Sequence, residues 1–202
     1  MKTLIFKRVF VLKIIVSWLS SLISFKLLFK FSLIAWATLA FPCHAAAANE
    51  TLEDEVKAAY LYKFSSYVDW PSGAFDSANS PFKLCVLGGN ERFNATLKKI
   101  VQGESVNGRT IEVNQVNTLE KDPGCHILYI GIIDPQQSAV LIDTVRGSNV
   151  LTVSDNAYQG IIGFTITNNR LRFNINDAAA AENGLIISSR LLKLAVNVKK
   201  RG

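Results

Sequence analysis

The chain has 202 residues, with 22 Lys and Arg against 16 Asp and Glu, a formal net charge of +6. Six of the basic residues (Lys2, Lys7, Arg8, Lys13, Lys26, Lys30) and no acidic one fall in residues 1–45, so residues 46–202 carry 16 of each sign and no net charge. A balanced domain offers no net footprint for nucleic acid, which demands clustered cations to displace its counterions, and that class of partner is set aside.

The cationic leader reads as an export signal, with positive charges up to Lys30 and an apolar run from Phe31 to Phe41. Small residues follow at Ala45–Ala48, the pattern a signal peptidase cleaves. The run is about eleven residues, short of the ~20 that a spanning helix needs. Residues 1–47 are therefore assigned to a long signal peptide. An uncleaved anchor is the rival, and Phe41-Pro42 makes a poor lipobox before Cys43. Every one of these readings exports residues 49–202 from the cytoplasm. Cys85 and Cys125 then remain, and an even pair in an exported chain reads as a disulfide closing a loop of about 40 residues. A structural staple and a redox-responsive bond are both open.

Within the exported part, Asn49–Val68 reads as a helix. Asn49 or Thr51 is available as N-cap, Glu53, Asp54 and Glu55 lie in the first turn, and Val56, Ala59, Tyr60, Lys63, Phe64 and Tyr67 recur at helical spacing. Asp69-Trp70-Pro71 ends it. Phe82–Gly88 is a short apolar strand bounded by Pro81 and Gly89. Phe93–Val101 is a helix with Leu97, Ile100 and Val101 inward, Thr110–Val116 a half-buried strand and Cys125–Ile130 a buried one. Gln136–Arg146 is a helix with Val140, Leu141 and Val145 on its inner face, and Val150–Val153 a strand. Gly160–Thr167 and Leu171–Ile175 form a hairpin across Asn168-Asn169-Arg170. A terminal helix over Ser189–Val198 places Leu191, Leu192, Leu194, Ala195 and Val198 inward. Strands alternating with helices imply an α/β fold: a single three-layer domain whose mostly parallel sheet is flanked by helices and finished by an antiparallel hairpin.

The inventory of reactive groups is sparse. His126 is the one histidine after the leader, and no Cys-x-x-Cys occurs, so neither a histidine metal cluster nor a thioredoxin-like centre is available. Cys125 and His126 point to opposite faces of a strand and cannot act as a nucleophile pair; His126 reads as structural. There is no G-x-S-x-G and no cofactor motif, and Asp69, Asp155 and Asp177 read as caps and turn residues. Enzymatic function is not expected. Two binding features stand out instead. Gly88-Gly89-Asn90, with Ser154, Asp155 and the residues to Tyr158, offers a small-ligand crevice at strand ends. The aromatic set Tyr60, Tyr62, Phe64, Tyr67 and Trp70 cannot all face inward, and its outward edge is a candidate partner surface.

Taken in order, Val56-Lys-Ala-Ala-Tyr-Leu-Tyr-Lys-Phe64 with Val68-Asp-Trp-Pro71, Leu84-Cys-Val-Leu-Gly88, Val106-Asn-Gly-Arg-Thr-Ile111, Cys125-His-Ile-Leu-Tyr129, Val150-Leu-Thr-Val-Ser-Asp155, Arg172-Phe-Asn-Ile-Asn176 and Gly184–Ala195 resemble the YfiR/HmsC-like family across residues 53–199. The resemblance implies a regulator in the periplasm of a Gram-negative cell that binds and represses an inner-membrane diguanylate cyclase, so that release raises cyclic di-GMP and promotes biofilm formation. The implied partner is the periplasmic region of a GGDEF-type membrane protein, with a homodimer as a further assembly. Cys85 and Cys125 fall where the family's disulfide cysteines fall. No second cysteine pair stands near Val153–Asn168, where the sequence has Gly160-Ile-Ile-Gly163, so a switch built on two bonds is not expected. The rival expectation is a periplasmic small-molecule sensor using the glycine crevice.

Overall fold

The computed structural model describes residues 44–118, 123–131 and 134–202; of the signal peptide expected over residues 1–47, the part up to Cys43 lies outside them. The chain divides into two units, Met1–Ala48 and Asn49–Gly202. In the second unit one eight-stranded sheet carries the fold. Helix α1 (His44–Phe64) leads to β1 (Val68–Asp69) and β2 (Phe82–Leu87), then α2 (Glu91–Val101), β3 (Ser105–Val106), β4 (Arg109–Val116) and β5 (Ile127–Ile130). Helix α3 (Pro135–Thr144), β6 (Leu151–Ser154), β7 (Ile162–Thr167) and β8 (Arg170–Asn176) follow. The chain closes with α4 (Asp177–Glu182), β9 (Ile186–Ile187), α5 (Ser189–Leu194) and β10 (Val198–Lys199). The strand order is β10-β8-β7-β6-β5-β2-β4-β3, with β1 and β9 forming a separate antiparallel pair. Strands β4, β2, β5, β6 and β7 run parallel, and β7 and β8 form the expected antiparallel hairpin.

Alternation along the central strands makes two cores. Leu84 and Val86, Ile127 and Tyr129, and Leu151 and Val153 face the larger one, against Leu61 and Phe64 of α1 and Phe93 and Leu97 of α2. Cys85, Leu87, Leu128 and Ile130 face the smaller one, which Val145, Leu141 and Ile142 close from α3 and its end. Helices thus cover both faces, the arrangement a parallel sheet requires. Each fully buried Leu, Ile or Phe here contributes roughly 1.5–3 kcal/mol of transfer free energy.

Turn chemistry sets the elements' ends. Asn168 and Asn169 both take positive φ (51° and 56°), which makes a two-residue type I′ turn and leaves Arg170 inside β8, paired with Thr167. Asn90 caps α2 by accepting the Phe93 N–H at 2.7 Å, so this helix starts two residues earlier than the apolar pattern indicates. Asp134 does the same for α3, accepting from Gln136 and Gln137 with Pro135 at the first helical position.

Four expectations are corrected. Helix α1 begins at His44, in the alanine run that has the highest helix propensity, so neither Asn49 nor Thr51 caps it. It ends at Phe64 rather than Val68, because the amides of Ser65, Ser66 and Tyr67 wind down in i to i−3 bonds and Val68 pairs with Ile187. Val140 is exposed, not inward. The terminal helix stops at Leu194: Ala195 is extended, and residues 196–199 line up along β8, Val196 donating to the Phe173 carbonyl and Asn197 accepting from Ile175. The open edge of β8 is satisfied in this way, and the β-branched Val196 and Val198 suit the strand.

Candidate functional site

Helix α1 is the wall shared by two concave surfaces. The first lies at the carboxyl ends of the central strands. Strand β2 sits between β4 and β5; the chain leaves β2 through α2 towards β4, and leaves β5 through α3 towards β6. The connections diverge there, and open α/β sheets form a ligand crevice at such a switch point. A cavity of about 500 Å³ occupies the position, lined by Gly88, Gly89, Asn90, Tyr129, Gly131 and Asp155, with Glu53, Asp54 and Lys57 from α1 and Arg92 and Phe93 from α2. Gly131 admits the close approach of the two strand ends: a Cβ there would lie 2.8 Å from the Gly88 carbonyl oxygen.

Charges converge on this crevice. The Lys57 ammonium is buried and paired with Glu53 at 2.8 Å and Asp155 at 3.0 Å. Burial pushes its pKa down, but the bond to Glu53 and the charge of Asp155 outweigh that and hold it above the ordinary lysine value. The Tyr129 hydroxyl donates to the second Asp155 oxygen at 2.8 Å; burial first, then the Asp155 charge, keeps the phenol protonated. Arg92 reaches Asp54 at 2.9 Å. Helix α1 is therefore clipped to the strand ends through Lys57–Asp155 and to α2 through Asp54–Arg92. Among the described residues, no group of three or more His, Cys, Asp or Glu could hold a metal ion.

On the other flank of α1, an apolar groove of about 410 Å³ runs between this helix, β8 and α5. Tyr60 and Phe64 line it from α1, with Tyr67 beyond the helix end and Phe173, Leu191 and Leu194 opposite. Leu52 and Leu194 are 60% and 56% exposed at its mouth. Tyr60 is anchored by its contacts with Phe64 (5.7 Å) and Phe173 (5.6 Å) between ring centroids, so the floor is rigid aromatic surface.

The proposed site residues distribute as follows. Tyr60 and Tyr67 come together in the groove, whereas Tyr62 lies elsewhere, donating to Glu104 at 2.6 Å, and Trp70 packs edge-on against Phe82. Gly88, Gly89, Asn90 and Asp155 line the crevice. Ser154 does not; it is buried and its Oγ accepts the Asn156 amide. Tyr158 belongs to a different cleft, beside Arg146 and Lys199. Asp155 and Asp177 are not simple turn residues, for both are ion-paired, Asp177 with Arg201. Lys57, Tyr129 and Gly131 join the crevice without belonging to a motif; the signals for them in the sequence are a lysine one turn after Glu53 and a glycine following β5 as Gly88 follows β2.

Cys85 and Cys125 are joined, with 5.9 Å between their Cα atoms, and tie β2 to the start of β5 within the smaller core. The neighbouring His126 ring is stacked between Phe75 and Phe82 at 4.4 and 4.8 Å. Its Nδ1 accepts the Lys83 amide at 2.9 Å and its Nε2 donates to the Ala74 carbonyl at 3.0 Å, which fixes the neutral tautomer. Burial, with smaller effects of Lys83 and Arg109, lowers its pKa.

No helix among the described residues is long and apolar enough to cross a membrane. Compared with known families, the chain matches the profile described as YfiR/HmsC-like over residues 54–196, from the middle of α1 to the segment before β10.

Proposed function

Because the chain belongs to the YfiR/HmsC-like family, we propose that it is a periplasmic regulator in cyclic di-GMP signalling, which binds the periplasmic region of an inner-membrane GGDEF-type cyclase and holds it inactive. The observation that carries the docking mode is the apolar groove beside α1. A preformed aromatic floor with exposed Leu52 and Leu194 at its rim suits an amphipathic segment that inserts apolar side chains, a recurrent mode of peptide recognition. Repression then follows population shift: the protein binds the inactive partner more tightly, and release requires a stimulus with differential affinity for the two states.

The test is capture of detergent-solubilised inner-membrane proteins on the immobilised protein. Wild type retains a GGDEF protein, and Leu52→Asp loses it while melting at the wild-type temperature. Equal capture by both proteins removes the groove from the account.

The switch-point cavity supports a second reading, a small-molecule sensor using Gly88, Gly89, Asn90 and Asp155. A thermal-shift screen of polar metabolites separates the two, since a ligand at 100 times its Kd stabilises by about 2.7 kcal/mol.

A further inference from the structure

The zero net charge of the exported domain conceals a segregation. Residues 49–169 hold nine basic and 14 acidic residues, net −5, while residues 170–202 hold seven basic and two acidic, net +5. Both acids of the second segment are consumed internally, Asp177 by Arg201 and Glu182 by Arg146. Arg170, Arg172, Arg190, Lys193, Lys199 and Lys200 are all exposed, and none of them forms an ion pair with a described residue.

The fold brings this segment to one place. Strand β10 is the end strand of the sheet and β8 is its neighbour, with Val198 beside Ile175 and Lys199 beside Asn176. The Arg172 guanidinium reaches the Leu194 carbonyl at 3.4 Å, which sets α5 against the same edge. From Arg170 to the level of Lys199 the stripe runs six residues of β8, roughly 20 Å at strand rise. Leu194 and Val196, 56% and 41% exposed, fall between Lys193 and Lys199 in the sequence.

We propose that this edge is a docking surface for an anionic phospholipid bilayer. Cations with few acids between them meet the phosphates, and the exposed Leu194 and Val196 enter the headgroup boundary, the combination that holds peripheral proteins at a membrane. The apolar residues within the stripe favour lipid over an acidic protein face, which would satisfy the charges and leave those side chains without a medium. The acidic remainder of the domain then orients the protein, since only this edge is attracted. Docking confines the regulator to the surface where a membrane partner resides and raises its effective concentration there. The inference rests on the charge placement and on the exposed Leu194 and Val196; it shares Leu194 with the rim of the groove, and its charge-reversal test touches no groove residue.

The experiment is co-sedimentation of protein recovered from the periplasm with vesicles of equal parts phosphatidylglycerol and phosphatidylcholine, against phosphatidylcholine alone. The wild type sediments with the anionic vesicles only, and loses binding at high salt. Lys193→Glu/Lys199→Glu weakens binding at least about tenfold. Lys98→Glu/Lys99→Glu on α2 makes the same net-charge change away from the edge and leaves binding within about twofold of wild type. Absence of binding to anionic vesicles overturns the proposal, and retention on a polyglutamate column in that case assigns the edge to an acidic protein instead. Equal weakening by the two double variants overturns it as well, because net charge and not the edge then governs association.

Discussion

Removing Asp155 tests the clip that sets the position of α1, and with it both concave surfaces. The Lys57 side chain is 9% exposed and that of Asp155 12%, at 3.0 Å separation. Deleting one partner of a buried ion pair costs about 3–5 kcal/mol, because the remaining charge stays desolvated. Asp155→Ala also strips the Tyr129 hydroxyl of its acceptor, a loss of about 1–3 kcal/mol when a buried group is left unpaired. Against this, Glu53 remains 2.8 Å from the ammonium and is itself 44% exposed, so the charge is not orphaned. The net expectation is about 3 kcal/mol, the lower end of the pair-breaking range. Urea unfolding followed by far-UV circular dichroism reads it directly, with an unchanged m-value showing that the denatured state is not the cause. Lys57→Met/Asp155→Leu removes both charges and should cost less than the sum of its single changes, since no buried charge is left behind. A loss below about 1 kcal/mol for Asp155→Ala, or strict additivity in the cycle, would refute the reasoning.

Three further outcomes follow from the geometry. Cys85→Ser opens the 40-residue link between β2 and β5 and should lower stability by about 4 kcal/mol in the chain-entropy account, read as a fall in the urea midpoint equal to that of wild type under reductant. For His126 the folded pKa lies below the ordinary value of about 6.5, so the unfolded chain binds its proton first. Stability should be full above pH 6.5 and drain as the pH falls towards the folded pKa, and His126→Phe should flatten that slope in urea titrations across the acid range. Gly131→Ala would drive a Cβ to within 2.8 Å of the Gly88 carbonyl oxygen, which the two strand ends can relieve only by parting; a loss of about 1–3 kcal/mol by thermal melting is expected, whereas an unchanged melt would show the approach to be unimportant.

Where local chemistry decides, the sequence was legible. The hairpin at Asn168-Asn169, the strands around Leu84, Ile127 and Leu151, and helices on both faces of a parallel sheet all follow from turn residues and apolar runs that need no distant partner. Positions governed by pairing were not. Val198 reads as the last turn of a helix until the open edge of β8 is there to recruit it, and Val68 reads as helix until Ile187 arrives from more than a hundred residues away. The helical stripe Val56, Ala59, Tyr60, Lys63 and Phe64 is real, with Tyr67 falling beyond the helix end, yet it borders the groove, while the deepest contacts belong to Ala58, Leu61 and Phe64. Periodicity gives the angle between residues on a helix but not which arc meets the core. For the crevice, the glycine turn was visible at once; Lys57 and Tyr129 acquire meaning only when the fold places Asp155 between them. Net charge was the least informative quantity, since a sum of zero erased the separation between residues 49–169 and 170–202.

The central claim, repression of a cyclic di-GMP cyclase through the groove beside α1, is tested most directly by cellular cyclic di-GMP in a strain lacking this protein. The nucleotide should rise on deletion, return to the starting level when the wild-type chain is restored, and stay high when Leu52→Asp is supplied at equal periplasmic abundance. A level that does not change on deletion would contradict the account.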